Sequence, residues 1–317
     1  MKLSYKAALS GFIAVLPALL LSTATASAGE IFVTNYGGGT IGEYTTSGAT
    51  VNATLLSGLP FPYDIAISGS TIFASQTGPG AFTGTIGAYT TSGATVSSSL
   101  GPTGLALPDG IAVSGSRLFV TEFNAGVVAE YTTSGATVKS PLFLVPGLGP
   151  AGIAVSGSDV FVANFNAGTI GEFTTSGAAV NPSLISGLTQ PGYIAVSGSD
   201  LFVTSEKNGT IGEYTTSGVT VNASLISGLN APTGIAVSGS DLFVANFGSG
   251  TVGEYTTSGA TVNASLISGL SGLTGIAVVP STSIPEPAAV KLLGLGLTAL
   301  GFWIVPYACR LYTKRRT

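Results

Sequence analysis

The run GIAVSGSDLFVANFGSGTVGEYTTSGATVNASLISGL, residues 234–270, has close copies throughout residues 30–279. The alanine of its IAV triplet, or of the variant IAI, marks each copy, and successive marker alanines are 46, 42, 41, 41 and 41 residues apart. A fixed period near 40 residues indicates that the chain is built from one structural unit used repeatedly. The marker alanines are Ala66, Ala112, Ala154, Ala195, Ala236 and Ala277.

Each repeat contains four short segments with the composition of β-strands. In the quoted copy they are residues 234–237, 242–247, 251–255 and 262–267. Valine, isoleucine, leucine and aromatic residues dominate these segments, and glycine- and serine-rich turns separate them. Because no helical period lies between them, each repeat predicts a four-stranded meander, the blade of a β-propeller.

The two ends of the repeat region complete one another. The first repeat begins at its second strand, residues 31–35, and the last ends with an extra first strand, residues 275–278. Pairing these segments would close a ring and protect both sheet edges. We therefore predict an all-β fold, a six-bladed propeller of four-stranded blades closed by its terminal strands. An open solenoid is the alternative, although it would need capping repeats and none is visible.

The flanking segments carry a different composition. Residues 1–28 combine Lys2 and Lys6, an apolar run and an A-x-A motif ending at Ala28, which predicts a secretory signal peptide, with an uncleaved anchor as the alternative. The propeller is assigned to residues 29–280 and a linker to 281–287. The hydrophobic stretch and basic tail of residues 288–317 predict a membrane-spanning helix whose tail stays cytoplasmic.

Charge and composition exclude several functions. Residues 29–287 contain three basic and fourteen acidic side chains, a formal charge of −11. Such a surface repels phosphate groups, so nucleic-acid binding is excluded. The chain has no histidine, which excludes nucleophilic triads that use one. Its one cysteine, Cys309, lies outside the repeats, so no intrachain disulfide can form.

The C-terminal segment resembles a known sorting signal. The triplet Pro285, Glu286 and Pro287, the span LLGLGLTALGF and the final arginine cluster resemble the PEP-CTERM signal of exosortase-processed bacterial proteins. This resemblance covers residues 284–317. It implies export in a Gram-negative-type bacterium, anchoring in the inner membrane, processing near residues 285–287 by an exosortase-like enzyme, and release to the cell surface or extracellular matrix. A plain C-terminal anchor is the alternative.

The repeats themselves are similar to NHL-type repeats. Their motifs P-x-G-I-A-V and D-L-F-V-A-N also resemble the wider group of six-bladed propellers that includes gluconolactonases and streptogramin-lyase-like proteins. The resemblance covers residues 30–279. It implies a blade rather than an activity, because one fold hosts many functions.

Polar side chains mark one face of the predicted propeller. The loops before the first strand and after the second strand of each blade surround the same mouth of the central channel, where carboxylate and amide oxygens could hold Ca²⁺ or another hard divalent ion. The gluconolactonase resemblance implies a metal held by such residues, and a solvated polar rim is the alternative. The candidate ligands are Asn35, Asp64, Asp109, Glu122, Asn164 and Asn246.

Two classes of function fit the sequence. The first is a non-catalytic surface or matrix propeller that binds polysaccharide or a matrix protein, and the near-identical blades favour it. The second is a metal-assisted hydrolase, of lactonase or lyase type, that works at the channel mouth. The sequence favours a protein that is not an enzyme.

Overall fold

The computed structural model of the protein describes residues 29–80, 83–147 and 149–281. The predicted signal peptide with Ala28, and the sorting segment with Pro285, Glu286 and Pro287, lie outside these residues. Within the described ranges there is no helix of the length and apolarity needed to cross a membrane. The described residues form 24 strands in six antiparallel sheets of four strands each.

The strands, numbered in chain order, fall into six blades. Blade 1 contains β1 (Glu30–Asn35), β2 (Thr40–Thr45), β3 (Thr50–Leu56) and β24 (Leu273–Val279); blade 2 contains β4 (Pro62–Ser68), β5 (Thr71–Gln76), β6 (Thr85–Thr90) and β7 (Thr95–Ser97). Blade 3 contains β8 (Pro108–Ser114), β9 (Arg117–Glu122), β10 (Val127–Thr132) and β11 (Thr137–Leu144); blade 4 contains β12 (Pro150–Ser156), β13 (Asp159–Asn164), β14 (Thr169–Thr174) and β15 (Ala179–Ile185). Blade 5 contains β16 (Pro191–Ser197), β17 (Asp200–Ser205), β18 (Thr210–Thr215) and β19 (Thr220–Ser227); blade 6 contains β20 (Pro232–Ser238), β21 (Asp241–Asn246), β22 (Thr251–Thr256) and β23 (Thr261–Ile267).

The last strand closes the ring. β24 pairs antiparallel with β1, so that Ile31 lies opposite Val278 and Val33 opposite Ile276. The first strands of the six blades contact one another in turn, including β24 with β4 and β20 with β24. These contacts confirm the six-bladed, all-β propeller with terminal strand closure and exclude the open solenoid. The inner strands are β24, β4, β8, β12, β16 and β20.

The core lies between the blades. Six clusters of buried apolar side chains each combine residues of two neighbouring blades. In β21, Leu242 and Val244 pack toward blade 5, whereas Phe243 and Ala245 pack toward blade 1. Successive side chains of a strand point to opposite faces, so both faces of the blade are buried. This explains why the second strands have continuous apolar sequences rather than alternating ones.

Every inner strand contains a β-bulge near its start. In β20, Pro232 lies opposite Asn246 and Ile235 opposite Val244, which leaves two residues of β20 facing one of β21. The same shift occurs in the other five blades. The inner strand thus begins at the proline, two residues before the predicted start at Gly234. A proline is tolerated there because it is the first residue of the strand.

Glycine in the bulge allows the inner strands to approach closely. A Cβ atom on Gly152 would lie 2.5 Å from Tyr193 Cα and 2.6 Å from the Gly192 carbonyl oxygen. A Cβ atom on Gly234 would lie 2.5 Å from the Thr274 carbonyl oxygen. Because the obstructing atoms belong to backbone, they cannot move without displacing a neighbouring blade.

We predict that Gly152→Ala destabilises the propeller. The added methyl group must separate blades 4 and 5, and overpacking of this kind reduces the free energy of unfolding by about 1–3 kcal/mol. Urea unfolding monitored by tyrosine fluorescence measures the change. Gly37→Ala is the control, since a Cβ atom there meets nothing within 4 Å. Equal stability of the two variants would contradict the close approach of the inner strands.

Candidate ligand-binding site

The first bulged residue of each inner strand lines a cavity in the central channel region, whereas the second, where it is glycine, lies against the inner strand of the next blade. In blades 3, 4, 6 and 1 the second bulged residue is glycine, but blades 2 and 5 have Asp64 and Tyr193 there. The first bulged residue also varies, and it is large in blade 2 and acidic in blade 3. The six bulged pairs, in ring order from blade 1, are Thr274-Gly275, Tyr63-Asp64, Asp109-Gly110, Ala151-Gly152, Gly192-Tyr193 and Thr233-Gly234.

Hydroxyl groups of the second strands hold the bulged backbone in place. Thr121 Oγ1 accepts a hydrogen bond from the Gly110 amide at 2.8 Å and donates one to the Ala151 carbonyl of the next blade at 2.6 Å. A bulge leaves backbone groups without ladder partners, and buried groups of this kind must be paired elsewhere. Each hydroxyl therefore fixes the direction of the channel-facing residues. The equivalent hydroxyls accept from the amides of Gly275, Asp64 and Tyr193 and belong to Thr34, Ser75 and Thr204.

The residue before each inner strand adopts a left-handed conformation. Leu107 has φ of 56° and Gln190 has φ of 47°, and both precede proline. A non-glycine residue in this region costs about 1–3 kcal/mol, and such strain concentrates at functional sites. The turn brings the residue that follows the second strand to the channel mouth: the Phe123 amide donates to the Leu107 carbonyl at 3.0 Å. The other residues with this conformation are Phe61, Gly149, Ala231 and Gly272.

Bulge residues of all six blades and turn residues of blades 3, 4 and 5 line one cavity of about 250 Å³. Four of its lining residues are aromatic and two are acidic. Around its edge, the Tyr36 ring packs edge-on against Tyr63 with centroids 5.0 Å apart. The lining residues are Tyr63, Leu107, Asp109, Phe123, Ala151, Phe165, Gly192, Tyr193, Glu206, Pro232, Thr233 and Thr274.

Two buried carboxyl groups lie at this mouth. Asp109 is 7% exposed, and Tyr193, from two blades away, donates its hydroxyl hydrogen to Asp109 Oδ1 at 2.7 Å. Asp64 is 8% exposed, and its Oδ2 accepts a hydrogen bond from the Ile111 amide at 3.1 Å. Both carboxyl groups are thus oriented by the protein but are not neutralised by a basic side chain among the cavity-lining residues.

Burial dominates the protonation of these groups. It raises the pKa of Asp64 to about 7, against the opposing hydrogen bonds from the Ile111 and Ile65 amides. Burial raises the pKa of Asp109 to about 6, with the Tyr193 hydrogen bond opposing the rise and the negative charge of Glu206 adding to it. The pKa of Tyr193 is also raised, first by burial and then by the charge of Asp109. Burial is thus the largest cause of all three shifts, and no basic side chain contributes to any of them.

The structure separates the residues predicted from sequence as ligands. Asp109 lines the cavity and Asp64 lies beside it. Glu122 instead accepts a hydrogen bond from the Ala106 amide at 2.9 Å, in the loop before the inner strand of its own blade. Asn164 donates to the Pro146 carbonyl of the equivalent loop in blade 4.

The remaining two candidates also bond within their own blades. Asn35 accepts from the Gly38 amide at 2.9 Å, and Asn246 donates to Thr251 Oγ1 at 3.5 Å. Across the described ranges, no three acidic, histidine or cysteine side chains are grouped as metal ligands would be. Binding of Ca²⁺ stays a prediction.

Sequence reasoning missed the aromatic part of the site. Tyr63, Phe123, Phe165 and Tyr193 line the cavity, yet only polar residues were considered as ligands. Two signals in the sequence identify three of these four residues. Tyr193 occupies the position of the glycine in the P-x-G-I-A-V motif, and Phe123 and Phe165 directly follow the polar residue that ends each second strand.

Comparison with solved structures supports the fold. The chain is similar to a chain of a nidogen/laminin complex, with 14% identity over 80% of this chain and 100% of that chain and a TM-score of 0.68. It is similar to a streptogramin B lyase, with 18% identity over 78% of this chain and 82% of that chain and a TM-score of 0.58. A protein of unknown function from Bacteroides caccae has 13% identity, coverage of 80% and 99%, and a TM-score of 0.60. No protein-family model matches the sequence, and no curated protein does.

At these identities the similarity extends to the six-bladed propeller fold and to no activity. One similar chain comes from a complex between two proteins and another from an enzyme. The resemblance of the repeats to NHL units agrees with this fold. The resemblance of the C-terminal segment to a sorting signal stays a prediction.

We predict that stability falls as the pH rises through the range in which Asp64 titrates. Its folded-state pKa, about 7, exceeds the ordinary aspartate value of 3.8, so the folded protein retains this proton while the unfolded chain loses it. The resulting contribution to stability is complete below pH 4 and lost by about pH 7.

Asp64→Asn keeps an acceptor for the Ile111 amide but removes the buried charge. At pH 8 the free energy of unfolding of the variant should exceed that of the natural protein by up to about 4 kcal/mol. Each unit of difference between the folded and unfolded pKa of Asp64 corresponds to about 1.4 kcal/mol. Chemical unfolding at pH 4, 6 and 8 measures this difference, which should shrink toward pH 4. A variant no more stable than the natural protein at pH 8 would show that the buried charge is compensated.

Proposed function

We propose that the protein is an exported, non-catalytic propeller of the bacterial cell surface that binds a matrix component at its channel mouth. The predicted signal peptide, the linker and sorting triplet of residues 281–287 and the C-terminal segment of residues 288–317 would deliver it through an exosortase-like enzyme. One observation carries the binding role. The departures from the repeat concentrate around a single cavity, although the repeat alone is sufficient for the blades.

These departures reduce stability and therefore need a purpose other than folding. Asp64 places a carboxyl group where four blades have glycine, and its burial disfavours the charged form. Tyr193 likewise places a large side chain where four blades have glycine, and its hydroxyl is directed to Asp109. Features that oppose stability and gather at one place are typical of functional sites.

The lining favours a sugar-sized ligand. A cavity of about 250 Å³ is smaller than the pockets that enclose drug-sized molecules, and fits a group such as a single sugar ring. The faces of Tyr63, Phe123 and Phe165 can pack against the apolar C–H face of such a ring. The Asp109 and Glu206 carboxylates can accept hydrogen bonds from its hydroxyl groups. Polysaccharide is therefore our preferred matrix component.

The predicted alternative is a metal-assisted hydrolase of lactonase or lyase type. Its support is that two oxygen donors, Asp109 and Glu206, share the wall of one cavity. We expect that the protein, dialysed exhaustively after purification, contains no stoichiometric divalent ion by elemental analysis. One equivalent of metal that is lost in Asp109→Asn but kept in Glu122→Gln would favour the enzyme instead.

The binding role is tested with extracellular polysaccharide from the producing cells. We expect the purified propeller to co-sediment with it, and the double variant Phe123→Ala, Phe165→Ala to bind at least tenfold more weakly. Val180→Ala, on the exposed outer strand β15, is the matched control and should bind normally. No sedimentation of the natural propeller, or equal binding by the double variant, would contradict the proposal.

A further inference from the structure

We infer that the group recognised in the channel-mouth cavity is the protonated amine of an amino sugar. This inference rests on the proposed function and specifies its ligand. Two observations support it. The cavity is lined by acidic and aromatic side chains, and none of the described basic side chains lines it.

The chain supplies no cation to this cavity from its described residues. Of their three basic side chains, Arg117 pairs with Glu130 at 2.7 Å in blade 3. Lys139 and Lys207 are exposed, and neither lines the cavity. Asp109 nevertheless lies in the lining with 93% of its surface buried, held in position by the Tyr193 hydroxyl. Burial of an ionised carboxylate is unfavourable unless the charge is paired, and a cationic ligand would supply the partner that the described residues do not.

An ammonium group can interact with both the acidic and the aromatic residues that line the cavity. It has three hydrogen atoms to donate and can make charge-assisted hydrogen bonds to Asp109 and Glu206. The π faces of Tyr63, Phe123 and Phe165 attract a cation as well as packing against the sugar ring. A neutral sugar would gain the packing but leave the carboxylate charge uncompensated.

The protonation of Asp109 predicts how the binding of a cation should depend on pH. The titratable groups that interact with Asp109 are Asp64, Glu206, Tyr63 and Tyr193, and none of them is basic. Burial keeps the pKa of Asp109 near 6, so a cation that requires the ionised carboxylate competes with a proton. Its affinity should therefore fall about tenfold between pH 7 and pH 5, which is the change in the ionised fraction of such a group.

The experiment is a calorimetric titration of the propeller, residues 29–281, whose ring closes on its own strands. Glucosamine is the probe, and glucose, with a hydroxyl in place of the amine, is the uncharged control of the same size. We expect glucosamine to bind at pH 7 at least tenfold more tightly than glucose. This preference should disappear in Asp109→Asn, which retains an acceptor for Tyr193, and should persist in Val180→Ala.

Equal affinity for the two sugars, or unchanged glucosamine binding by Asp109→Asn, would overturn the inference. Circular dichroism of each variant separates lost binding from lost folding. The two proposals fail separately. If polysaccharide co-sediments through the aromatic residues but glucosamine binds no better than glucose, only the amine is wrong. If glucosamine binds through Asp109 but no polysaccharide co-sediments, the matrix role is wrong and the cation site stands.

Discussion

The pairing of β24 with β1 is the contact on which the rest of the structure depends. It joins segments that are far apart in sequence, such as Ile31 and Val278, which are separated by 247 positions. Without it, blade 1 would lack its inner strand and two apolar blade faces would be exposed to water. Closure also brings the six inner strands together. Tyr193 of blade 5 then reaches Asp109 of blade 3 across the channel, and bulges of all six blades line one cavity.

Different residues of the ring pack the blades and line the cavity. The blades pack through the repeated apolar residues of the second strands. Bulge glycines in most of the inner strands let neighbouring blades approach closely. The proposed binding function uses the few bulge positions that depart from this repeat. A bulge suits such a role because its extra residue is free of the sheet ladder and can be directed into the channel. The hydroxyl of Thr121 keeps that residue in place by bonding across two blades.

Most of the fold was predictable because its signals are local and repeated. The period, the strand composition and the unpaired terminal segments predict blade number and closure without knowledge of any side-chain contact. The site was less predictable. The Asp109–Tyr193 hydrogen bond joins residues 84 positions apart, so its existence depends on the closed ring. Glu122 occupies a position at the channel mouth, yet its side chain turns to the Ala106 amide, because a buried carboxylate there satisfies an unpaired loop donor.

The uncompensated charge at the channel mouth is the central claim, and the titration of Asp109 tests it most directly. In the ligand-free propeller, the side-chain carboxyl carbon of Asp109 can be followed by ¹³C NMR as the pH is raised, with Asp109→Asn assigning the signal. We expect a midpoint near pH 6, well above the ordinary aspartate value of 3.8, because burial disfavours the charged form. A midpoint near pH 4 would show a carboxylate that is already solvated or paired, and would contradict a cation-binding cavity.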